Sequence, residues 1–128
     1  MNRDRILMGL ALLGAAFFLI FGVWPFFDAH SFFDEIADFP PYNRHFLHDV
    51  GAFQVGLGAM LLFALLWRGD ALLAALAGAG AGAAFHFAAH LRDHDLGGND
   101  GQIVALGVLA ALLLAGAAWK WASGREAS

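Results

Sequence analysis

The chain has 128 residues, of which 60% are hydrophobic and only 14% are charged. Soluble domains are usually nearer half apolar and a quarter charged, so this composition excludes an ordinary soluble domain and favours a membrane protein. The net charge of −4 excludes a basic nucleic-acid-binding surface, and the absence of cysteine excludes disulfides and thiolate metal sites.

Four hydrophobic segments, each long enough to cross a bilayer as a helix, follow one another along the chain. They cover residues 6–27, 50–67, 71–91 and 102–121. At 1.5 Å per residue each would extend about 27–33 Å, which matches the hydrocarbon core of a bilayer. No small-residue cleavage pattern follows the first segment, so it is predicted to be a retained span and not a signal peptide. We therefore predict an all-α protein with a single integral membrane domain, an antiparallel four-helix transmembrane bundle.

The loop after the first span and the loop before the fourth span carry signals for local structure. Ser31 and Asp34 have the spacing of a capping box, and apolar residues recur at helical intervals after Ser31. This pattern predicts a short amphipathic helix at the membrane surface, ended by the two prolines at 40–41. Before the fourth span, Asn99 or Asp100 is predicted to cap the helix.

The distribution of basic residues predicts the orientation of the spans. Five of the seven lie at the termini or in the short turn between the second and third spans; they are Arg3, Arg5, Arg68, Lys120 and Arg125. Only Arg44 and Arg92 lie on the opposite side. Basic residues are enriched in cytoplasmic loops, so both termini are predicted to be cytoplasmic, in a multi-pass protein of the bacterial inner membrane.

A seam of residues at intervals of four runs along the third span. It consists of Gly78, Gly82, His86, His90 and His94. This spacing keeps the five residues near one face of a helix. The two glycines are predicted to let a neighbouring helix pack closely, as small-residue pairs do in membranes. Histidines on the packing face of a membrane helix indicate a functional site.

A second polar group is expected to meet this seam. His48 and Asp49 enter the second span from the same outer side on which the histidines of the third span leave it. The short turn at 68–70 makes the two spans antiparallel neighbours. His48 and Asp49 are therefore predicted to lie beside His86 and His90, near the outer edge of the bilayer.

The chemistry of this predicted cluster favours a metal ion. Imidazole nitrogens with a carboxylate are a donor set that suits zinc, copper(II) or iron(II). His45 and His94 are candidate additional ligands at the edge of the same cluster. A haem held by histidines from facing helices is the alternative cofactor.

Other roles for the same residues stay open at this point. If the histidines only satisfy hydrogen bonds within the bundle, the chain would be a non-catalytic interaction or structural subunit. Imidazole titrates near pH ~6.5, so a proton-linked small transporter is a second alternative, although no charged residue lies at mid-membrane. Gln54 is predicted to donate an interhelical hydrogen bond. No pattern points to an enzyme, and the expected partners are the bilayer and either a second copy or a membrane partner subunit.

The layout resembles that of small bacterial four-span proteins of the DoxX-like family and related families of unknown function. The resemblance is carried by the segments YNRH at 42–45 and HDVGA at 48–52, a glycine-rich second span, the Arg68 turn, and His86 with His90. It implies an integral four-helix bundle. It implies no established activity, because such proteins are described as redox-associated subunits or have no assigned activity.

Overall fold

The computed structural model of the chain describes residues 2–67 and 69–125, and these residues form five α-helices. The helices are α1 (Arg3–Phe27), α2 (Ala29–Glu35), α3 (Arg44–Trp67), α4 (Gly69–Arg92) and α5 (Asp100–Arg125). All except α2 are long and apolar enough to cross a membrane, which confirms the predicted all-α multi-pass bundle. Arg68, in the predicted turn between the second and third spans, lies outside the described residues.

Short polar residues cap four of the helices, Asn2 for α1 among them, and the cap of α2 differs from the sequence expectation. The Asp28 side chain accepts a hydrogen bond from the Ser31 backbone N–H at 3.1 Å, so Asp28 caps α2 and the predicted capping box starting at Ser31 is wrong. Asn43 caps α3 by accepting from the Phe46 N–H at 3.1 Å. Asn99 caps α5 as predicted.

The short helix α2 lies across one end of the bundle, which we call the α2 end. Phe32 on its inner face is buried and meets Trp24 of α1 edge-to-face, with ring centroids 5.6 Å apart. The Trp24 indole N–H donates to the Ser31 hydroxyl at 3.3 Å, while Asp34 and Glu35 are exposed. The predicted amphipathic surface helix is thus confirmed, and it ends at Glu35, before the two prolines.

Glycines bring the four long helices together as two close pairs, α1 with α3 and α4 with α5. A Cβ atom on Gly51 would lie 2.6 Å from the backbone oxygen of Gly22, so only glycine permits this approach of α3 to α1. A Cβ atom on Gly80 would lie 3.1 Å from the backbone nitrogen of Leu114 on α5.

The consecutive helices α3 and α4 pack together at the end opposite α2 and separate toward the α2 end. Leu61 and Ala64 of α3 share the main core with the first turns of α4. Among the described residues of α4, none beyond Ala83 is buried. At Gly78 and Gly82 an added Cβ would meet no atom closer than 3.8 Å and 3.9 Å. The close approach predicted at these two glycines is therefore not formed with any residue that the structure describes.

Candidate functional site

The separation of α3 from α4 leaves a cavity of about 660 Å³ near the α2 end, here called the α3–α4 cavity. Residues from α1, α3, α4 and α5 form its walls, and α2 with residues 36–39 forms its roof. Its lining is mostly aliphatic and aromatic. Small-molecule sites typically have volumes of about 300–1,000 Å³, apolar walls and a few polar groups, and this cavity has all three properties.

The α4 wall of the cavity is the middle part of the seam that the sequence singles out. Gly82, His86 and His90 all line it. The imidazole centroids of His86 and His90 lie 4.9 Å apart, as expected for residues one turn apart on one face. The His90 ring also meets Phe39 of the roof edge-to-face, at 5.5 Å between centroids. Gly82 lies one turn beyond His86, farther from the α2 end, and its lack of a side chain leaves that part of the wall open.

The structure does not bring His48 and Asp49 to this wall. His48 packs on Phe26 of α1, with ring centroids 5.3 Å apart. Asp49 pairs with His45 at 3.6 Å on an exposed face of α3. Each helical residue advances by about 100°, so His48 lies about 160° around α3 from Val50, which does line the cavity. His48 and Asp49 lie near the level of the cavity along α3, as predicted, but on a different face of the helix from the one predicted.

The remaining histidines have local partners outside the cavity. His94 Nε2 lies 2.9 Å from Asp100 Oδ1, and His30 Nδ1 lies 3.8 Å from Asp34 Oδ2. Across the residues that the structure describes, no group of three or more histidine, cysteine, aspartate or glutamate side chains is arranged to hold a metal ion. Metal binding therefore stays a prediction, and the predicted ligands lie in separate places: His86 and His90 at the cavity wall, and His45 with Asp49 on an exposed face of α3.

Two glutamine side chains add polar groups to the cavity that the sequence reasoning did not assign to it. Gln54 is only 8% exposed, and its Oε1 accepts no hydrogen bond from any described residue. The interhelical bond that Gln54 was predicted to donate through its Nε2 is not found either among the described residues. Gln102 Nε2 donates to the Ile36 carbonyl, whereas its Oε1 is also buried and without a described partner. Each unmet acceptor costs about 1–3 kcal/mol.

Gln102 carried one signal in the sequence. It is an isolated amide in the first turn of an otherwise apolar span, three residues after the Asn99 cap. A glutamine at this position commonly bonds back to the cap. Here it reaches the roof of the cavity instead, a contact between residues 66 positions apart that only the folded chain reveals.

The roof of the cavity is held down by the connection between α4 and α5. Gly97 and Gly98 have φ angles of +153° and +78°, which favour glycine, and their backbones lie against Asp38 and Phe39. A side chain at Gly97 would collide with the Asp38 carbonyl oxygen. Together with the bond from Gln102, this contact covers the cavity on the side of the α2 end.

The cavity is open sideways, between α3 and α4. Phe46 and Phe53 on the α3 side of the opening are 61% and 79% exposed. Gly82 and His86 on the α4 side are exposed as well. Because both helices are candidate membrane spans, this opening lies at a depth where acyl chains surround the protein.

Comparison of the chain with protein-family models, curated proteins and solved structures found no match. The resemblance to DoxX-like proteins therefore stays a prediction. The geometry offers an apolar cavity whose lining includes two imidazoles and two carboxamides, each of which can hydrogen-bond a polar group of a ligand.

Proposed function

We propose that this protein binds a lipid-soluble ligand in the α3–α4 cavity, with His86 and His90 as polar contacts. The observation that carries the proposal is the cavity itself, about 660 Å³ in volume, roofed at the α2 end and open between two membrane-spanning helices. An apolar ligand reaches such an opening directly from the bilayer. A neutral imidazole has one donor and one acceptor, so it can orient the polar part of the ligand.

The test fills the cavity and leaves the helix intact. Gly82→Leu places an isobutyl group at the cavity wall, whereas Gly78→Leu, one turn along the same face, is the matched control because Gly78 does not line the cavity. Each protein is purified in mild detergent, and bound small molecules are extracted with organic solvent for mass spectrometry. A species retained by the wild type and by Gly78→Leu but lost from Gly82→Leu supports the proposal. Identical extracts from all three proteins contradict it.

A metal ion bound by His86 and His90 is a second candidate, favoured by the 4.9 Å separation of their rings. Two imidazoles from one helix supply half of a tetrahedral zinc site, and copper or iron are further candidates. Elemental analysis with an optical spectrum tests this, since a Soret band would report haem. We expect the His86→Ala/His90→Ala variant to lose the metal and the His30→Ala variant to retain it. Equal loss of metal from these two variants would contradict the site.

The proposed orientation places both termini in the cytoplasm and α2 on the periplasmic side of a bacterial inner membrane. Its support is the excess of basic residues at the termini and at the second turn. The cysteine-free chain suits a test with single cysteines. A membrane-impermeant maleimide should label Leu96→Cys on intact spheroplasts, and Gly124→Cys only after lysis. The opposite pattern would reverse the orientation.

A further inference from the structure

We propose that the ligand is an uncharged amphiphile whose polar end carries a hydroxyl group and whose chain extends toward the middle of the bundle. This inference rests on the proposed binding function of the α3–α4 cavity. It follows from how polar groups are distributed with depth, from the charges of the lining, and from the unpartnered acceptor of Gln102.

Most polar groups of the lining lie toward the α2 end of the cavity. His90 and Gln102 lie at this end, and His86 lies one turn deeper. Gly82 lies about 12 Å deeper than His90, at 1.5 Å per residue, and the deeper part is lined by Leu57 and Leu106 with Gln54 as its polar side chain. An amphiphile fits this order with its polar end toward the membrane surface and its chain toward the bilayer interior, the orientation it already has in the adjacent leaflet.

The charges of the lining exclude an anionic head group. Glu35, at the rim, is the one charged side chain among the described lining residues, and no lysine or arginine is found among them. A phosphate or carboxylate placed here would be desolvated without a cationic partner and would face Glu35. A cation would have Glu35 as its one charged partner among the described lining residues, and that residue is exposed at the rim. Burying a poorly paired charge of either sign is costly, so the polar end of the ligand is uncharged.

The unpartnered acceptor at the α2 end specifies the hydrogen-bonding character of that polar end. Gln102 Oε1 is buried and accepts no hydrogen bond in the described part of the chain. Only a donor can satisfy it, so a ligand with ester or ether oxygens alone would leave it unpaired. A hydroxyl donates to this amide oxygen and still accepts from the N–H of His86 or His90. Long-chain alcohols and partial acylglycerols have this chemistry.

Photocrosslinking with matched probes tests the inference. Hexadecanol, palmitic acid and hexadecyltrimethylammonium, each with a diazirine in the chain, are presented to the protein in neutral lipid nanodiscs, and labelled peptides are mapped by mass spectrometry. Hexadecanol should label residues of the cavity wall and outcompete the other two. Its labelling should persist in Gly78→Leu and be lost in Gly82→Leu. In Gln102→Met its affinity should fall about twofold to tenfold, the equivalent of one neutral hydrogen bond, whereas Gln54→Met, deeper in the cavity, should bind it as the wild type does.

The outcomes separate this inference from the proposed function. If no probe labels the cavity wall above the level of Gly82→Leu, the proposed binding function is overturned with it. If all three probes label the wall equally, or if the acid or the ammonium probe wins, the cavity binds ligands but the hydroxyl assignment is overturned. Equal loss of labelling in Gly78→Leu and Gly82→Leu overturns the placement of the ligand.

Discussion

Replacing Gln54 by methionine is expected to stabilise the unliganded protein although it removes a polar group from the candidate site. Gln54 is 8% exposed and its Oε1 has no described partner, so the wild type carries the desolvation cost of that acceptor, about 1–3 kcal/mol. Methionine has a similar length and flexibility, and such volume-conserving replacements usually cost less than about 1.5 kcal/mol. The net expectation is a gain of about 1 kcal/mol in the free energy of unfolding.

The assay is reversible unfolding in mixed micelles by titration with sodium dodecyl sulfate, followed by helical circular dichroism. A gain of about 1 kcal/mol raises the folded-to-unfolded ratio about fivefold. The comparison variant is Gln102→Met, which removes an unpaired acceptor of the same kind but also the hydrogen bond to the Ile36 carbonyl, so its gain should be smaller than that of Gln54→Met by about 0.5–1.5 kcal/mol. If Gln54→Met instead destabilised the protein by more than about 1 kcal/mol, the carboxamide of Gln54 would have a partner in the folded state and the reasoning would fail.

Three further predictions use the same unfolding assay. Gly51→Ala should lower the free energy of unfolding by about 1–3 kcal/mol, because its Cβ would lie 2.6 Å from a backbone oxygen of α1. Its control is Gly56→Ala, which should be neutral or slightly stabilising because a Cβ there would meet nothing within 4 Å. Equal effects of the two substitutions would refute the close contact. Asn99→Ala should cost about 0.5–2 kcal/mol through loss of the α5 cap, and an unchanged stability would contradict that role. His45→Ala should change stability by less than about 0.5 kcal/mol, because its side chain and that of Asp49 are 88% and 59% exposed; a larger loss would mean that the ion pair stabilises α3.

Local features were predicted best where short-range chemistry decides them. The Asn99 cap follows from one side chain bonding to an N–H three residues later, an interaction that needs no tertiary partner. The start of α2 was misplaced because two residues with capping side chains, Asp28 and Ser31, lie close together. Both can accept, and the contact of Ser31 with Trp24 helps decide between them in the folded chain.

The sequence by itself determined the number of spans and the face of α4 that carries Gly82, His86 and His90, because hydropathy and helical period are properties of the chain in one dimension. The second span begins at Arg44, six residues before its predicted start, because polar residues in the first turns of α3 hide the helix from hydropathy. Only the tertiary structure decided what that face of α4 meets. The backbone contact at Gly51 holds α3 against α1. The half of α3 nearest the α2 end is therefore separated from α4, and His48 faces away from the cavity. The rotation of a helix about its own axis depends on which side chains pack against its neighbours, and a pattern along one chain does not contain those contacts.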